Sequence, residues 1–62
     1  MRDPQYLGDG AYVGLHDSFP HTLVLTTGSH EEDQAENVIV LEPDCVTHLL
    51  MYITKQKEAR RL

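Results

Sequence analysis

Cys45 is the only cysteine in a chain of 62 residues, and a lone thiol on so short a chain narrows what it can fold into. A domain of this size buries only about 60 % of the surface its unfolded chain exposes. Small domains usually compensate with disulfides, a metal or self-association. A single cysteine excludes an intrachain disulfide and suits a reducing compartment. Self-association is the route that the composition leaves open, so a homodimer or larger oligomer is expected.

The polar and apolar periodicities predict an α+β fold, a three-stranded antiparallel meander with one C-terminal helix packed on it. Residues 1–5 read as a tail, 6–41 as the meander and 43–60 as the helix, all in one domain. Asp9-Gly10 is a tight-turn dipeptide, because glycine accepts positive φ without a steric penalty. Beyond it Ala11, Val13 and Leu15 alternate with Tyr12, Gly14 and His16, the period of a half-buried strand. Gly14 weakens that strand and marks a bulge or a close backbone approach. Asp17-Ser18-Phe19-Pro20 reads as a turn.

The second strand, Thr22–Thr27, is expected to turn Leu23 and Leu25 to the core, with Val24 outward between Thr22 and Thr26. Residues 28–36 form a polar loop, expected to be solvated and mobile. The third strand, Asn37–Leu41, is apolar on both faces, so it should be central or covered by another subunit. Pro43 suits the first helical position, with Glu42 and Asp44 at the positive end of the helix dipole. Val46, Leu49, Leu50 and Ile53 form one apolar stripe. Lys55, Lys57, Arg60 and Arg61 lie near its negative end.

The net charge of −5 is unevenly spread. Residues 1–44 hold nine carboxylates against Arg2, or −8, and residues 45–62 hold four cations against Glu58, or +3. An acidic body argues against nucleic-acid binding, which needs clustered cations for phosphates. It suits a partner with a basic surface. No apolar run approaches the ~20 residues of a membrane helix, and Met1–Gln5 has no apolar core of a signal peptide behind its charge. A cytoplasmic protein without membrane contact is therefore expected.

Several constellations carry residue types of known chemistry. Cys45 and His48 are one helical turn apart, yet a structural zinc site needs four converging ligands, so no metal and no cofactor is expected. His16-Asp17-Ser18 contains triad residue types but has no oxyanion hole or walled cleft. Glu31, Glu32 and Asp33 lie in a solvated loop, where no carboxyl can be desolvated for acid catalysis. No enzyme activity is expected. The better reading of Asp9, Glu31, Glu32, Asp33 and Glu36 is a charged contact for a protein partner. Gly8 and Gly10 could present backbone N–H groups to a phosphate, with Tyr6 and Tyr12 stacking on a base and Thr26, Thr27 and Arg60 meeting its polar groups. Val38, Val40, Met51 and Tyr52 are the candidate oligomer contacts.

Tyr6-Leu7-Gly8-Asp9-Gly10-Ala11-Tyr12, a short hairpin, and Ile39-Val40-Leu41-Glu42-Pro43 leading into a leucine-rich helix resemble a family of small proteins. These are encoded by tailed bacteriophages and prophages, with a YLGDG-aromatic start and an LEP helix start. The resemblance spans residues 6–53 and implies phage origin and a bacterial host cytoplasm. Small acidic phage proteins that are neither enzymes nor virion parts often act on host machinery, some by blocking defence proteins and others by sequestering nucleotide signals. The leading expectation is inhibition of a host factor such as an antiviral defence protein. The alternatives are an oligomeric sponge for a small nucleotide and an accessory protein with no counter-defence role.

Overall fold

The structure, a computed structural model, describes residues 1–62. Its sheet has four antiparallel strands in the order β1-β2-β3-β4. These are β1 (Arg2–Gly8), β2 (Ala11–Leu15), β3 (Leu23–Thr27) and β4 (Asn37–Leu41), followed by one helix, α1 (Pro43–Glu58). The α+β class and the C-terminal helix match the sequence reading, but the sheet has one strand more. Residues expected to form a tail begin β1, where Arg2 pairs with Leu15 and Gln5 with Val13. Their polarity and Pro4 hide the strand, and both are permissible because β1 is an edge. The Asp9-Gly10 turn is as expected: φ is 54° and 79° at its two residues, the positive pair that a type I′ hairpin requires.

The two faces of the sheet are the reverse of the expected ones. The buried residues are Gly14, Thr22, Val24 and Thr26, with Val24 fully buried, whereas Leu23 and Leu25 are only half-buried. Alternation along β3 is intact, but a different row is covered. Register places Gly14 beside Val24 and Val24 beside Val40. Over this row lies the Met1 side chain, 1 % exposed. A Cβ on Gly14 would lie 2.7 Å from Met1 Cγ and 2.9 Å from the Arg2 carbonyl oxygen. Gly14 is thus the close-approach glycine that the strand pattern suggested. The threonines are tolerated inside because each hydroxyl donates to a carbonyl, Thr22 to Pro20 at 2.9 Å and Thr26 to Ser29 at 2.7 Å. A buried hydroxyl without such a partner would cost about 1–3 kcal/mol.

The opposite face, carrying Val13, Leu15, Leu23, Leu25 and Ile39, has no second layer. Leu15 is 41 % and Ile39 54 % exposed. β4 is apolar on both sides as expected, yet it is an edge strand and not central. Val38 and Val40 share the Val24 side and are still nearly half exposed.

The helix starts where the sequence places it. Glu42 is extended, Pro43 follows, and the Val46 N–H donates to the Glu42 carbonyl. It ends at Glu58, two residues short of the expected limit. There Arg60 takes φ 60°, and Arg61 N–H donates to Gln56 O while Arg60 N–H donates to Lys57 O. This is a Schellman cap, here with arginine where glycine is usual. The expectation that α1 packs on the sheet fails. No helix residue is buried, and among the strands only β4 packs against it appreciably. The loop Gly28–Glu36 and Met1 occupy one face, and Glu42 alone links Leu41 to a helix that packs on the sheet appreciably only along β4.

The molecule is correspondingly extended. Its accessible surface is 4909 Å², against about 4,100 Å² for a compact chain of this mass. Its radius of gyration is 12.5 Å, against about 10.6 Å for a compact domain of this length. No helix is long and apolar enough to cross a membrane.

Candidate functional site

Loop 28–36 runs from β3 across the Val24 face before entering β4, and it is tied down at several points. The Thr26 hydroxyl holds the Ser29 carbonyl, the Ser29 hydroxyl accepts the Glu31 N–H at 3.0 Å, and Glu36 N–H donates to Thr27 O at 2.9 Å. The loop is solvated as expected, but it is hydrogen-bonded into a fixed path and not free. Gly28 N–H donates to Gly10 O at 2.9 Å, so the Asp9 turn and the loop share one end of the sheet. Asp9, Glu31, Asp33 and Glu36 are all exposed there.

Glu32 is engaged within the chain, although its side chain stays 43 % exposed. Its Oε1 accepts from the Met1 ammonium at 3.1 Å, while Asp17 lies 3.5 Å from the same nitrogen. The Glu32 hydrogen bond raises the pKa of that amine above its ordinary value; partial desolvation opposes the shift, and Asp17 adds to it. Glu32 is therefore a strut for the loop, a role that charge patterning does not reveal.

The candidate ligand contacts are only partly brought together. Tyr6 and Tyr12 face each other across β1 and β2 with ring centroids 5.0 Å apart, and His30 joins them with its ring 5.7 Å from Tyr12. Tyr6 is 57 % exposed. His30, absent from the sequence-derived set, enters because the loop folds back; its neighbour Glu31 sits 3.8 Å from His30 Nδ1. The Gly10 N–H already donates to Tyr6 Oη at 3.0 Å, which removes one donor from a phosphate cradle at Gly8-Asp9-Gly10. Thr26 is buried and engaged with Ser29. Thr27 accepts from Asn37 Nδ2 at 3.0 Å. Arg60 is at the far end of a helix that departs from the sheet. Thr26 is thus the cross-strand neighbour of Tyr12 with its hydroxyl already engaged, and Arg60 is the residue of the set that one chain leaves away from the tyrosines.

His16 caps a turn. Its Nδ1 accepts the Ser18 and Phe19 N–H groups, both at 3.0 Å, and its ring stacks on Phe19 at 4.6 Å. That nitrogen is committed to the backbone and is not available to take a proton from Ser18. No three His, Cys, Asp or Glu side chains converge as metal ligands. Cys45 and His48 are both exposed on the helix.

Exposed apolar side chains also line α1. Leu50, Met51 and Tyr52 are 63 %, 62 % and 54 % exposed. Beside them Leu49, Ile53 and Leu62, with Arg61 at the rim, line a shallow cavity where the chain turns back after the cap. Met51 and Tyr52 are the helix residues expected at an oligomer contact, and both are exposed. The core-forming role expected of Leu49 and Leu50 is not filled within one chain.

Comparison with protein families, curated proteins and solved structures gives no match to this chain.

Proposed function

We propose that this chain is a non-catalytic phage protein that works by binding, as a homo-oligomer, in the cytoplasm of a bacterial host. Its target in this reading is a host protein with a basic surface, such as an antiviral defence component. The observation that carries it is the anchored acidic end: Asp9, Glu31, Asp33 and Glu36 are exposed on a loop and turn held by backbone hydrogen bonds. A pre-ordered charged surface avoids much of the entropy cost of binding, and complementary charge accelerates encounter. Self-association is supported by the helix, which buries none of its residues alone.

The test is capture from host lysate at low salt, comparing the native chain with Glu31→Lys/Asp33→Lys. A basic host protein should be captured by the native chain and lost with the double variant. Equal capture by both would remove the loop from the contact, and capture of nothing would remove the protein-target reading.

A second reading, a sponge for a small nucleotide, is favoured by the Tyr6–Tyr12–His30 cluster, since exposed rings stack on a base for about 1–3 kcal/mol each. In an oligomer the basic helix end of a neighbouring copy would supply the cation that one chain does not bring to the tyrosines. A thermal-shift series with cyclic and ADP-ribose-type nucleotides tests it. A shift abolished by Tyr12→Ala supports the sponge, and no shift with any nucleotide removes it.

A further inference from the structure

The sheet has two open edges, β1 and β4, and only one is defended. β1 carries Arg2, Asp3 and Pro4, has φ 51° at Asp3, and its ladder with β2 is broken by two irregularities. Proline, charge and bulges are the devices by which proteins keep an edge from pairing. β4 has none of them. Its sequence is Asn-Val-Ile-Val-Leu, and its register with β3 is regular from Leu41 back to Asn37. An exposed, regular, apolar edge is a template for another strand.

We propose that the occupant is the β4 of a second copy, paired antiparallel about a two-fold axis at Ile39 to give one continuous eight-stranded sheet. The inference rests on the self-association proposed above and on neither target. In this pairing Ile39 faces itself, Leu41 faces the partner's Asn37, and the apolar rows of both faces continue across the seam. Such an interface is isologous and closes at the dimer.

Two further observations favour a copy of this chain over an unrelated strand. The first is area. The surface exceeds that of a compact chain by about 800 Å², the share each partner gives to a standard interface. The second is charge. α1 leaves the sheet just after Leu41, so pairing sets its start beside the partner's Asn37, where the acidic loop ends. The helix is 16 residues long, about 24 Å at 1.5 Å per residue, and ends in Lys55, Lys57, Arg60 and Arg61. A segment of charge +3 is thereby carried toward a partner body of charge −8. Its exposed Leu50, Met51 and Tyr52 gain a surface to cover.

The experiment is cross-linking joined to a charge exchange. In a Cys45→Ser background, Ile39→Cys should give a disulfide-linked dimer on mild oxidation, because opposed residues across an antiparallel pair are close enough to bridge. Leu15→Cys, on β2 and away from the edge, should give none. By light scattering Ile39→Lys and Ile39→Glu should each be 7.1 kDa monomers, and an equimolar mixture should regain twice that mass. A native chain that is monomeric overturns both the seam and the self-association beneath it. A native dimer whose Ile39→Cys variant fails to cross-link overturns the seam alone. If a charged variant does not fold, as judged by circular dichroism, the two cysteine variants still decide.

Discussion

Gly14→Ala isolates the contact that closes the covered face. Gly14 is absent from the positive-φ positions, so the substitution meets no backbone strain and its cost is spatial. The new methyl would sit 2.7 Å from Met1 Cγ and 2.9 Å from the Arg2 carbonyl oxygen, both inside van der Waals contact. The Met1 side chain can swing away, but then it loses burial worth about 1.5–3 kcal/mol. The Arg2 carbonyl can retreat only by opening the start of the β1–β2 ladder. Overpacking of this kind costs about 1–3 kcal/mol, offset by about 0.4–1 kcal/mol because alanine restricts the unfolded chain. The expected net loss is about 1–2 kcal/mol, a large fraction of the stability of so small a domain. It is read from the urea midpoint at constant m, together with amide exchange at Arg2, Asp3 and Gln5. Protection should fall there first and persist in β3. If Gly14→Ala instead stabilises by about 0.4–1 kcal/mol with β1 equally protected, Met1 does not pack on Gly14 and the covered face is held closed by something else.

Other perturbations probe the remaining supports. Thr26→Val keeps the shape but leaves the Ser29 carbonyl without its donor, and should cost about 1–3 kcal/mol while freeing loop 28–36 to exchange, as amide exchange at Glu31 and Gln34 would record. The Met1 amine has a raised pKa, so its contribution is complete below its ordinary value of 8.0 and is lost as pH rises through the raised one. The urea midpoint should therefore fall on the alkaline side, and acetylating the amine should abolish that dependence; a midpoint flat across this range would show that the Glu32 strut contributes nothing. Leu50→Glu should change the stability of an isolated chain by no more than about 0.5 kcal/mol, as for most exposed positions, yet weaken self-association in a dilution series. Arg60→Gly should raise helix stability by about 0.4–1 kcal/mol by relieving an αL arginine, measurable by circular dichroism during thermal unfolding.

Local chemistry made the turn, β2–β4 and the helix start legible. Asp9-Gly10 specifies its own turn, the alternation in Ala11–Leu15 specifies a strand, and Glu42-Pro43-Asp44 specifies a helix beginning. β1 was hidden because Arg2-Asp3-Pro4-Gln5 has neither alternation nor β-branched residues; only pairing with β2 makes it a strand. The inverted faces have the same origin. Leu23 and Leu25 are more apolar than Thr22 and Thr26, but the covered side is decided by where Met1 and loop 28–36 fold, and the threonines are rescued by carbonyl acceptors that sequence spacing does not display. Helix periodicity correctly located an apolar stripe at Val46, Leu49, Leu50 and Ile53. It carried no information on whether the covering surface belongs to the same chain. Among site residues, the tyrosine pair was readable from its positions about the turn. His30 was not, since its approach to Tyr12 depends on the loop path.

The uncovered helix and the open β4 edge both favour a second copy of this chain, and the β4 seam and the nucleotide reading depend on that oligomer. Light scattering of the native chain over a micromolar concentration series decides whether it exists. The mass should be twice 7.1 kDa and fall only on dilution, whereas a constant mass of 7.1 kDa throughout the series would contradict it.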